Sequence, residues 1–325
     1  MYVSGKVNGI MKTSKQALTV LPAHRSSLGW KILSQWQLYV FLLPALTFMI
    51  IFSYVPMYGI ILAFKDFMPS KGILGSPWVG FKHFARFFTQ PSCIQYIKNT
   101  VSISLITTLL SVPIPVVFAL MLDQVEVVWF KKLVQNMTYM PHMLSAVIVI
   151  SICQVLLSPS SGVVNIIIEK FGGARINFFG EEDAVFWIYW LTGVWQNTGY
   201  SAVLYLAALS GIDQEQLEAA KIDGANRLRI IWNIKLPAIA NTVIIMIIMA
   251  FGSAFSVGAD KMLLIQNSMN LGKSEVISTY VYKVGLLGGE FGFSTAINLL
   301  NTVVNVTCVL IVNKIADIIS DTSLF

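Results

Sequence analysis

One charged segment decides the fold of this chain: Ile212–Lys235, IDQEQLEAAKIDGANRLRIIWNIK, which stands between two apolar runs. Asp213 is a residue type that caps helix N-termini, and Glu215 and Glu218 follow in the first turns, where the helix dipole favours acids. Asp223–Gly224 then ends the helix at a residue that adopts a left-handed backbone without strain. The segment predicts a short polar helix, a tight turn and a second helix that leads into the next apolar run.

The rest of the chain has the composition of a membrane protein. Its 325 residues are 56% hydrophobic and only 12% charged, with a mean hydropathy of +0.71, outside the usual composition of soluble domains. Charge-free runs of about 20 residues recur, which is the length that a helix needs to cross roughly 30 Å of hydrocarbon. Such runs lack the alternation of a β-barrel strand, so the predicted fold class is an all-α membrane protein. The six predicted transmembrane helices are Leu38–Leu62, Thr100–Leu122, Thr138–Leu157, Ala184–Leu209, Ala238–Val257 and Phe293–Ile315.

The charged residues and cysteines exclude several classes of partner and site. The net charge of +6 comes from Lys and Arg residues scattered between the apolar runs, so we expect membrane lipid around the protein and no nucleic-acid partner. These residues are divided almost evenly between the two sets of loops, and the positive-inside rule therefore does not orient the chain. The three cysteines are too far apart in sequence to indicate a disulfide framework or a metal pair.

The polar segment carries a specific resemblance. Glu218–Ala225, EAAKIDGA, followed by Ile234–Pro237, IKLP, resembles the EAA loop of ABC importer permeases. The chain departs from the familiar pattern at Gln214 and Asn241, where prolines are often found, and at Ile231, where phenylalanine is frequent. An ordinary amphipathic connector is the alternative. Three further stretches resemble the LplB-type permeases for oligosaccharides and polysaccharide fragments: Ala63–Phe67 (AFKDF) with the preceding Tyr58–Gly59, Gly75–Phe81 (GSPWVGF) and Ile277–Tyr282 (ISTYVY).

This resemblance implies an architecture and a set of partners. A permease of this kind has the MetI-like fold of type I ABC importers, and its EAA loop is a cytoplasmic coupling helix that docks into a cleft of the ATPase subunit. The expected organisation is a cytoplasmic tail at 1–35, a six-helix permease domain at 36–316 with the coupling loop at 212–237, and a cytoplasmic tail at 317–325. The residues that the resemblance assigns to ATPase coupling are Glu218, Ala219, Ala220, Asp223, Gly224, Leu236 and Pro237.

The same resemblance implies that the chain works as part of an assembly in a bacterial cell membrane. The expected partners are a second, different permease subunit, a dimer of ATPase subunits and an extracytoplasmic sugar-binding protein. ATP and Mg would bind to the ATPase partner, and no cofactor to this chain. An even number of spans puts both termini on one side, and the cytoplasmic EAA loop would make that side the cytoplasm.

Polar side chains recur on one face of two predicted spans at spacings of three and four residues. Uncharged polar groups inside a membrane face other helices or a wet cavity. A saccharide offers hydroxyls to amides and an apolar ring face to aromatic side chains, so these stripes suit a sugar path. Interhelical hydrogen bonds that hold the bundle together are the alternative. The predicted path residues are Tyr189, Thr192, Gln196, Asn197 and Tyr200 in the fourth span and Asn298, Asn301 and Asn305 in the sixth.

Sequence motifs typical of nucleotide-binding proteins and enzymes are incomplete or absent, which argues against an enzyme. Gly272-Lys273-Ser274 resembles the end of a phosphate-binding loop, but Asn267 stands where the first glycine is required. No HExxH helix or nucleophile elbow is present, and we predict no catalytic residue and no metal site. The alternatives are a secondary transporter, which would need ionisable residues near mid-membrane, a membrane enzyme acting on lipid-linked sugar, or an ABC permease for a non-sugar solute. Loop residues such as Lys261 are predicted to be solvated, with contact to an acidic sugar or a binding protein as the alternative.

Overall fold

The computed structural model describes residues 35–320, with side chains described as far as Ile318. The predicted N-terminal tail therefore lies outside the described residues except for its last position, and so do residues 321–325 of the predicted C-terminal tail. The described chain is helical, and its only β-type pairing is an isolated antiparallel bridge between Lys65 and Trp78. The helices are α1 (Trp36–Met49), α2 (Gly72–Gly75), α3 (Lys82–Thr89), α4 (Cys93–Ser111), α5 (Pro113–Asp123), α6 (Val128–Tyr139), α7 (Ala146–Leu156), α8 (Val163–Lys170), α9 (Glu182–Ser210), α10 (Gln214–Ile222), α11 (Arg227–Ile230), α12 (Ala240–Phe251), α13 (Ala259–Ile265), α14 (Leu271–Ser274), α15 (Ile277–Tyr282) and α16 (Phe291–Ser320).

The chain divides into two units, Met1–Met57 and Tyr58–Phe325. In the first unit, α1 contains Pro44 and continues through a π-helical turn, Ile50–Tyr54, and a short helical piece, Val55–Met57. None of the described residues of this unit is buried. In the second unit, a 3-10 helix, Tyr58–Phe64, precedes α2, and all the remaining helices follow.

Three helices of the described chain are long and apolar enough to cross a membrane, and two bent pairs raise the number to five if each pair is one span. The three are Trp36–Phe64, Cys93–Asp123 and Phe291–Ile318. The bent pairs are Val128–Met143 with Ala146–Leu156 and Arg227–Ala238 with Ala240–Phe251, at angles of 104° and 61°. These five elements overlap five of the six predicted spans.

The third predicted span, Thr138–Leu157, is broken. A 3-10 turn, Met140–Met143, contains Pro141, and the chain bends by 104° before Ser145 accepts a hydrogen bond from the amide of Ile148 and starts α7. Proline removes a backbone donor and disrupts a helix. α7 has only 11 residues, and at about 1.5 Å per residue it is roughly half as long as the hydrocarbon is thick.

The fourth predicted span, Ala184–Leu209, is a single helix, α9, of 29 residues. It is long enough to cross a membrane but is not among the helices apolar enough to do so by composition. The Trp, Tyr, Gln and Asn residues along it lower its hydropathy. Such side chains are tolerated at membrane depth where they face protein or a wet cavity.

Three apolar clusters hold the second unit together. One joins α4, α7, α9 and α13 through residues such as Ile103, Ile150 and Met262. A second joins α5 to α9 and the start of α12, with Tyr205 only 1% exposed. A third joins α3, α15 and the N-terminal end of α16 around Phe293. α9 contributes to the first two clusters and is therefore the central helix of this unit.

Candidate functional site

The 212–237 segment contains a short exposed helix, α10, where the sequence predicted a short polar helix. Asp213 Oδ1 accepts a hydrogen bond from the amide of Glu215 at 3.0 Å, as expected of an N-cap. Gly224 has φ +74°, and the amide of Ala225 donates to the carbonyl of Ala220 at 3.0 Å, which ends the helix with a left-handed residue. Glu218 and Ala219 are exposed, Ala220 is half-buried, and Asp223 and Gly224 are exposed.

The predicted second helical stretch of the segment is also present. Asn226 Oδ1 accepts from the amide of Arg229 at 2.8 Å and caps α11. The helix then continues through a π-helical turn, Ile231–Lys235, and a last piece, Leu236–Ala238, before the 61° bend into α12. Leu236 packs against the α5 and α9 cluster, whereas Pro237 is exposed.

Two ion pairs tie this stretch to the C-terminal end of α5. Lys235 Nζ pairs with Asp123 Oδ2, and the two side chains are only 12% and 24% exposed. Arg227 pairs with Glu126 at 3.0 Å, but these side chains are 71% and 82% exposed. Exposed pairs contribute little, while a pair sheltered from water is screened less. The Asp123–Lys235 pair is therefore the stronger connection between α5 and the 212–237 segment.

A cavity of about 250 Å³ opens between α4, α9 and the chain around the end of α12. Its wall carries hydroxyl and amide groups together with apolar side chains, and no Asp, Glu, Lys or Arg of the described residues lines it. Trp190 also lines it, and its indole N–H is buried without a hydrogen-bond acceptor in the described chain. The lining residues are Ser104, Thr107, Thr108, Leu110, Ser111, Pro115, Tyr189, Trp190, Gly193, Val194, Asn197, Thr198, Ser201, Ala250, Ser253, Ala254, Ser256 and Val257.

The polar stripe predicted on α9 divides into two groups. Tyr189 and Asn197 line the cavity, whereas Thr192 is buried and donates to the carbonyl of Tyr189 at 3.1 Å. Gln196 Nε2 donates to the carbonyl of Leu144 at 2.7 Å. Tyr200 stacks on the ring of His142, with 4.0 Å between the ring centroids.

These contacts hold the broken third span. His142 Nδ1 lies 3.1 Å from Asn197 Oδ1, so α9 contacts the break through three side chains: Gln196, Asn197 and Tyr200. Gly199 permits the close approach, since a Cβ there would lie 2.2 Å from the carbonyl oxygen of Thr138. His142 has a structural role in this conformation, and Gln196 and Tyr200 make contacts between helices rather than with the cavity.

The predicted stripe on α16 does not line the cavity. Asn298 is exposed and Asn301 is half-buried. Asn305 is buried, accepts from the amide of Phe255 at 2.9 Å and donates to Ser256 Oγ at 3.0 Å. Asn305 therefore holds the chain after α12, part of which forms the cavity wall.

Sequence reasoning missed the contribution of α4 to the cavity. Ser104, Thr107, Thr108 and Ser111 recur at the same helical spacing that singled out the stripe on α9. Thr107 and Ser111 donate their hydroxyl protons to carbonyls within α4, which leaves the oxygen lone pairs as acceptors. Ser253 and Ser256 carried no such signal, because they lie where the helix has ended.

Lys261 on α13 is half-buried, contrary to the prediction of a solvated loop residue. Its Nζ donates to the carbonyl of Tyr189 at 3.0 Å and lies 4.8 Å from the centre of the Tyr189 ring. No carboxylate of the described chain lies within 4.0 Å of it. Burial lowers the pKa of Lys261 to about 8.

No three His, Cys, Asp or Glu side chains of the described residues are grouped so as to hold a metal ion. Cys93, Cys153 and Cys308 are free thiols in separate parts of the fold. The site is thus a neutral, hydroxyl-rich cavity connected through α4 and α5 to a polar exposed helix, which suits binding and movement of a polar solute.

Comparisons with known proteins find relatives among membrane transport components. The family described as binding-protein-dependent transport system inner membrane component matches residues 97–321. The polygalacturonan/rhamnogalacturonan transport system permease protein YteP of Bacillus subtilis (strain 168) is 40% identical over 292 residues, 90% of this chain and 91% of that protein. Protein LplB of the same organism is 37% identical over 288 residues, 89% of this chain and 91% of LplB.

A solved structure is similar over nearly the same length. It is the crystal structure of a bacterial ABC transporter involved in the import of the acidic polysaccharide alginate. The matching chain has a TM-score of 0.83 and 34% sequence identity, and the match covers 90% of this chain and 99% of that one. A second structure, in which the alginate transporter is in complex with an alginate pentasaccharide-bound periplasmic protein, matches with a TM-score of 0.83 and 33% identity over 92% of this chain and 100% of that one.

Proposed function

We infer the function of this chain from its family: it belongs to the inner membrane components of binding-protein-dependent transport systems, and we propose that it imports acidic oligosaccharides. The resemblance to ABC importer permeases, and to the LplB type in particular, is confirmed. The chain is a transporter subunit and not an enzyme. The substrate class rests on relatives named for polygalacturonan, rhamnogalacturonan and alginate.

One structural observation supports the transport mechanism: a tight turn joins the exposed helix α10 to a segment that is held against α5. The braced segment passes through Lys235 and Leu236, and α5 follows directly on α4, which lines the cavity. A displacement of α10 by a partner therefore reaches the cavity wall through two short connections. ATP hydrolysis, with its Mg, would take place on that partner.

The docking surface of the coupling segment combines small, acidic and apolar side chains. Glu218 and Ala219 are exposed on α10, and Ile222 and Leu228 are 86% and 67% exposed at the turn that follows. Alanines allow a close backbone approach, and exposed large apolar side chains on a polar element mark protein contacts. In this proposal Asp223 and Gly224 set the turn, and Leu236 and Pro237 set the path into the membrane.

The proposed topology has six spans with both termini in the cytoplasm. Five spans are the helices and bent pairs that are apolar enough, and the sixth is α9, whose polar side chains contact the cavity and the broken span. Two permease subunits, a pair of ATPases and an extracytoplasmic binding protein complete the assembly. The relative solved with a sugar-loaded periplasmic protein supports the last of these partners.

The proposed sugar path is the cavity between α4 and α9. Tyr189 offers a ring face, and Asn197 and the hydroxyls of Ser253 and Ser256 offer hydrogen bonds, the two kinds of contact that a sugar ring uses. Its volume of about 250 Å³ is slightly below the lower limit of ~300 Å³ for typical ligand pockets. In this proposal Gln196 and Tyr200 support the sugar path by holding the break in the third span, and Thr192 supports it through the packing of α9. Asn305 supports it by holding the chain after α12. Asn298 and Asn301 would reach the sugar only in another conformation of the bundle.

The test of coupling uses the assembled importer in proteoliposomes and measures ATP hydrolysis stimulated by the sugar-loaded binding protein. We expect Glu218→Lys and Gly224→Val each to abolish the stimulation, since the first reverses a docking charge and the second cannot hold φ +74°. Gly224→Asn is the matched control, because asparagine tolerates the left-handed region better than valine. Full stimulation in both Glu218→Lys and Gly224→Val would refute the docking role.

A further inference from the structure

Lys261 lies at the edge of a neutral cavity, and its ammonium group is not paired with any carboxylate of the described residues. Tyr189 and Gly193 both line that cavity, and a Cβ on Gly193 would lie 3.6 Å from Lys261 Nζ. The ammonium group therefore stands against the cavity wall. One of its three N–H groups is used by the carbonyl of Tyr189, and no carboxylate of the described chain is within reach of the others.

The surroundings of Lys261 favour an anion over a neutral ligand. A cation removed from water is unstable unless it is paired, and a charge-assisted bond to a carboxylate is about twice as strong as a neutral hydrogen bond. The ring face of Tyr189 supplies partial compensation, with its centre 4.8 Å from Nζ. The side chain is half-buried rather than enclosed, and although Lys261 is not itself a lining residue, its Nζ lies beside Tyr189 and Gly193, which line the cavity.

The position of Lys261 is also fixed. Tyr189 Oη accepts from the amide of Gly258 at 3.1 Å, which ties the start of α13 to α9. Ser278 Oγ donates to the carbonyl of Val257 at 2.7 Å, and Met262, the next residue, is fully buried. A cation held by its backbone on several sides is preorganised, which lowers the entropic cost of binding an anion.

We propose that Lys261 binds a carboxylate of the sugar at the cavity edge and thereby makes this permease select uronate-containing oligosaccharides over neutral ones. This inference rests on the proposed sugar-import function and adds the residue that recognises the negative charge of the sugar. Tyr189 positions the ammonium group through its carbonyl and ring, and Gly193 lies next to Nζ at the cavity wall.

The test compares trigalacturonate with its fully methyl-esterified form, which has the same ring skeleton without the charges. Uptake by the assembled importer, with its partner permease, ATPases and binding protein, is measured in proteoliposomes for the wild type, Lys261→Met and Lys261→Arg. We expect Lys261→Met to lower kcat/KM for trigalacturonate by about tenfold or more relative to the ester, the size of one lost charge-assisted hydrogen bond. Lys261→Arg keeps the charge and should retain most of the preference. Lys170→Met is the matched control, since Lys170 is exposed at the end of α8.

The outcomes separate this inference from the function on which it rests. If the wild type transports neither probe, the proposed function fails and the inference with it. If the wild type transports sugar but Lys261→Met lowers kcat/KM for both probes equally, or changes it for neither, the function stands and the role of Lys261 in charge recognition is overturned. If the wild type transports only trigalacturonate, the comparison is between the two variants. Uptake that is lost in Lys261→Met and equally lost in Lys261→Arg overturns the role as well.

Discussion

At the scale of single residues, Lys261 makes transport of charged sugar depend on pH. The titratable groups that face its ammonium are Cys153 on α7 and Tyr189 on α9, and α15, which also packs on α13, places no carboxylate within 4.0 Å. Burial lowers the pKa of Lys261 to about 8, so the group is charged below that pH and neutral above it. We expect the ratio of kcat/KM for trigalacturonate over its methyl ester to be high near pH 7 and to fall as pH rises through about 8.

The Lys261→Met variant is the control for this pH profile, since it has no proton to lose at this position. Its ratio should be low and flat across the same range. A wild-type ratio that stays constant between about pH 7 and pH 9.5 would contradict the assignment, because it would mean that another group provides the charge.

Asn165 is the residue on which the fold of the 158–176 segment depends. Its side chain is fully buried, Nδ2 donates to the carbonyls of Leu157, Ser158 and Ile176, and Oδ1 accepts from the amide of Ile176 at 2.8 Å. Asn165→Leu would leave these groups unpaired at a cost of about 1–3 kcal/mol for each that stays buried. We expect limited proteolysis of the purified complex to cut this segment much faster in the variant. Ser160→Ala, at an exposed position, should be cut at the wild-type rate.

At the scale of elements, the connection between α5 and the coupling segment depends on the sheltered ion pair. Breaking it with Asp123→Asn or Lys235→Met should lower sugar-stimulated ATP hydrolysis several-fold, while Glu126→Gln, in the exposed pair, should change it little. The charge reversal Asp123→Lys with Lys235→Asp should recover part of the stimulation, with a coupling energy of about 1–2 kcal/mol in the double-mutant cycle. Equal effects of Asp123→Asn and Glu126→Gln would rule out this pair as the connection.

The elements also differ in how far the sequence predicted them. α10 was predicted from its N-cap to its final glycine, because Asp213 and Gly224 act on their own neighbours and need no tertiary contact. The 104° break at 143–146 was not predicted, although Pro141 marked it, because the bend is held by side chains of α9 that lie 50 or more residues away. The apolar run alone therefore predicted one straight span where the structure has a 3-10 turn, Met140–Met143, followed by the separate helix α7.

The cavity was predicted in part for the same reason. Tyr189 and Asn197, both named from the sequence, line the cavity, but whether any side chain of α9 met a cavity or another helix depended on packing. Lys261 was expected in solvent because charged loop residues usually are, and only the fold of α13 against α9 buries it. Local signals fixed caps and helix faces, whereas tertiary contacts decided what each face touches.

At the scale of the whole molecule, the mechanism requires that α10 lie on the cytoplasmic side and α8 on the opposite side. Single cysteines at Lys221, Lys170 and Asp317, all exposed, report the three positions in a chain whose Cys93, Cys153 and Cys308 are replaced by serine. With a membrane-impermeant maleimide added outside intact spheroplasts, we expect labelling of Lys170→Cys alone. Lys221→Cys and Asp317→Cys should react only after the membrane is opened. In the proposed topology four spans separate α10 from the N-terminus and two separate it from the C-terminus, and since both numbers are even, α10 lies on the same side as both termini. Labelling of Lys221→Cys from outside would place the coupling segment where no ATPase can reach it, and the proposed transport mechanism would fail.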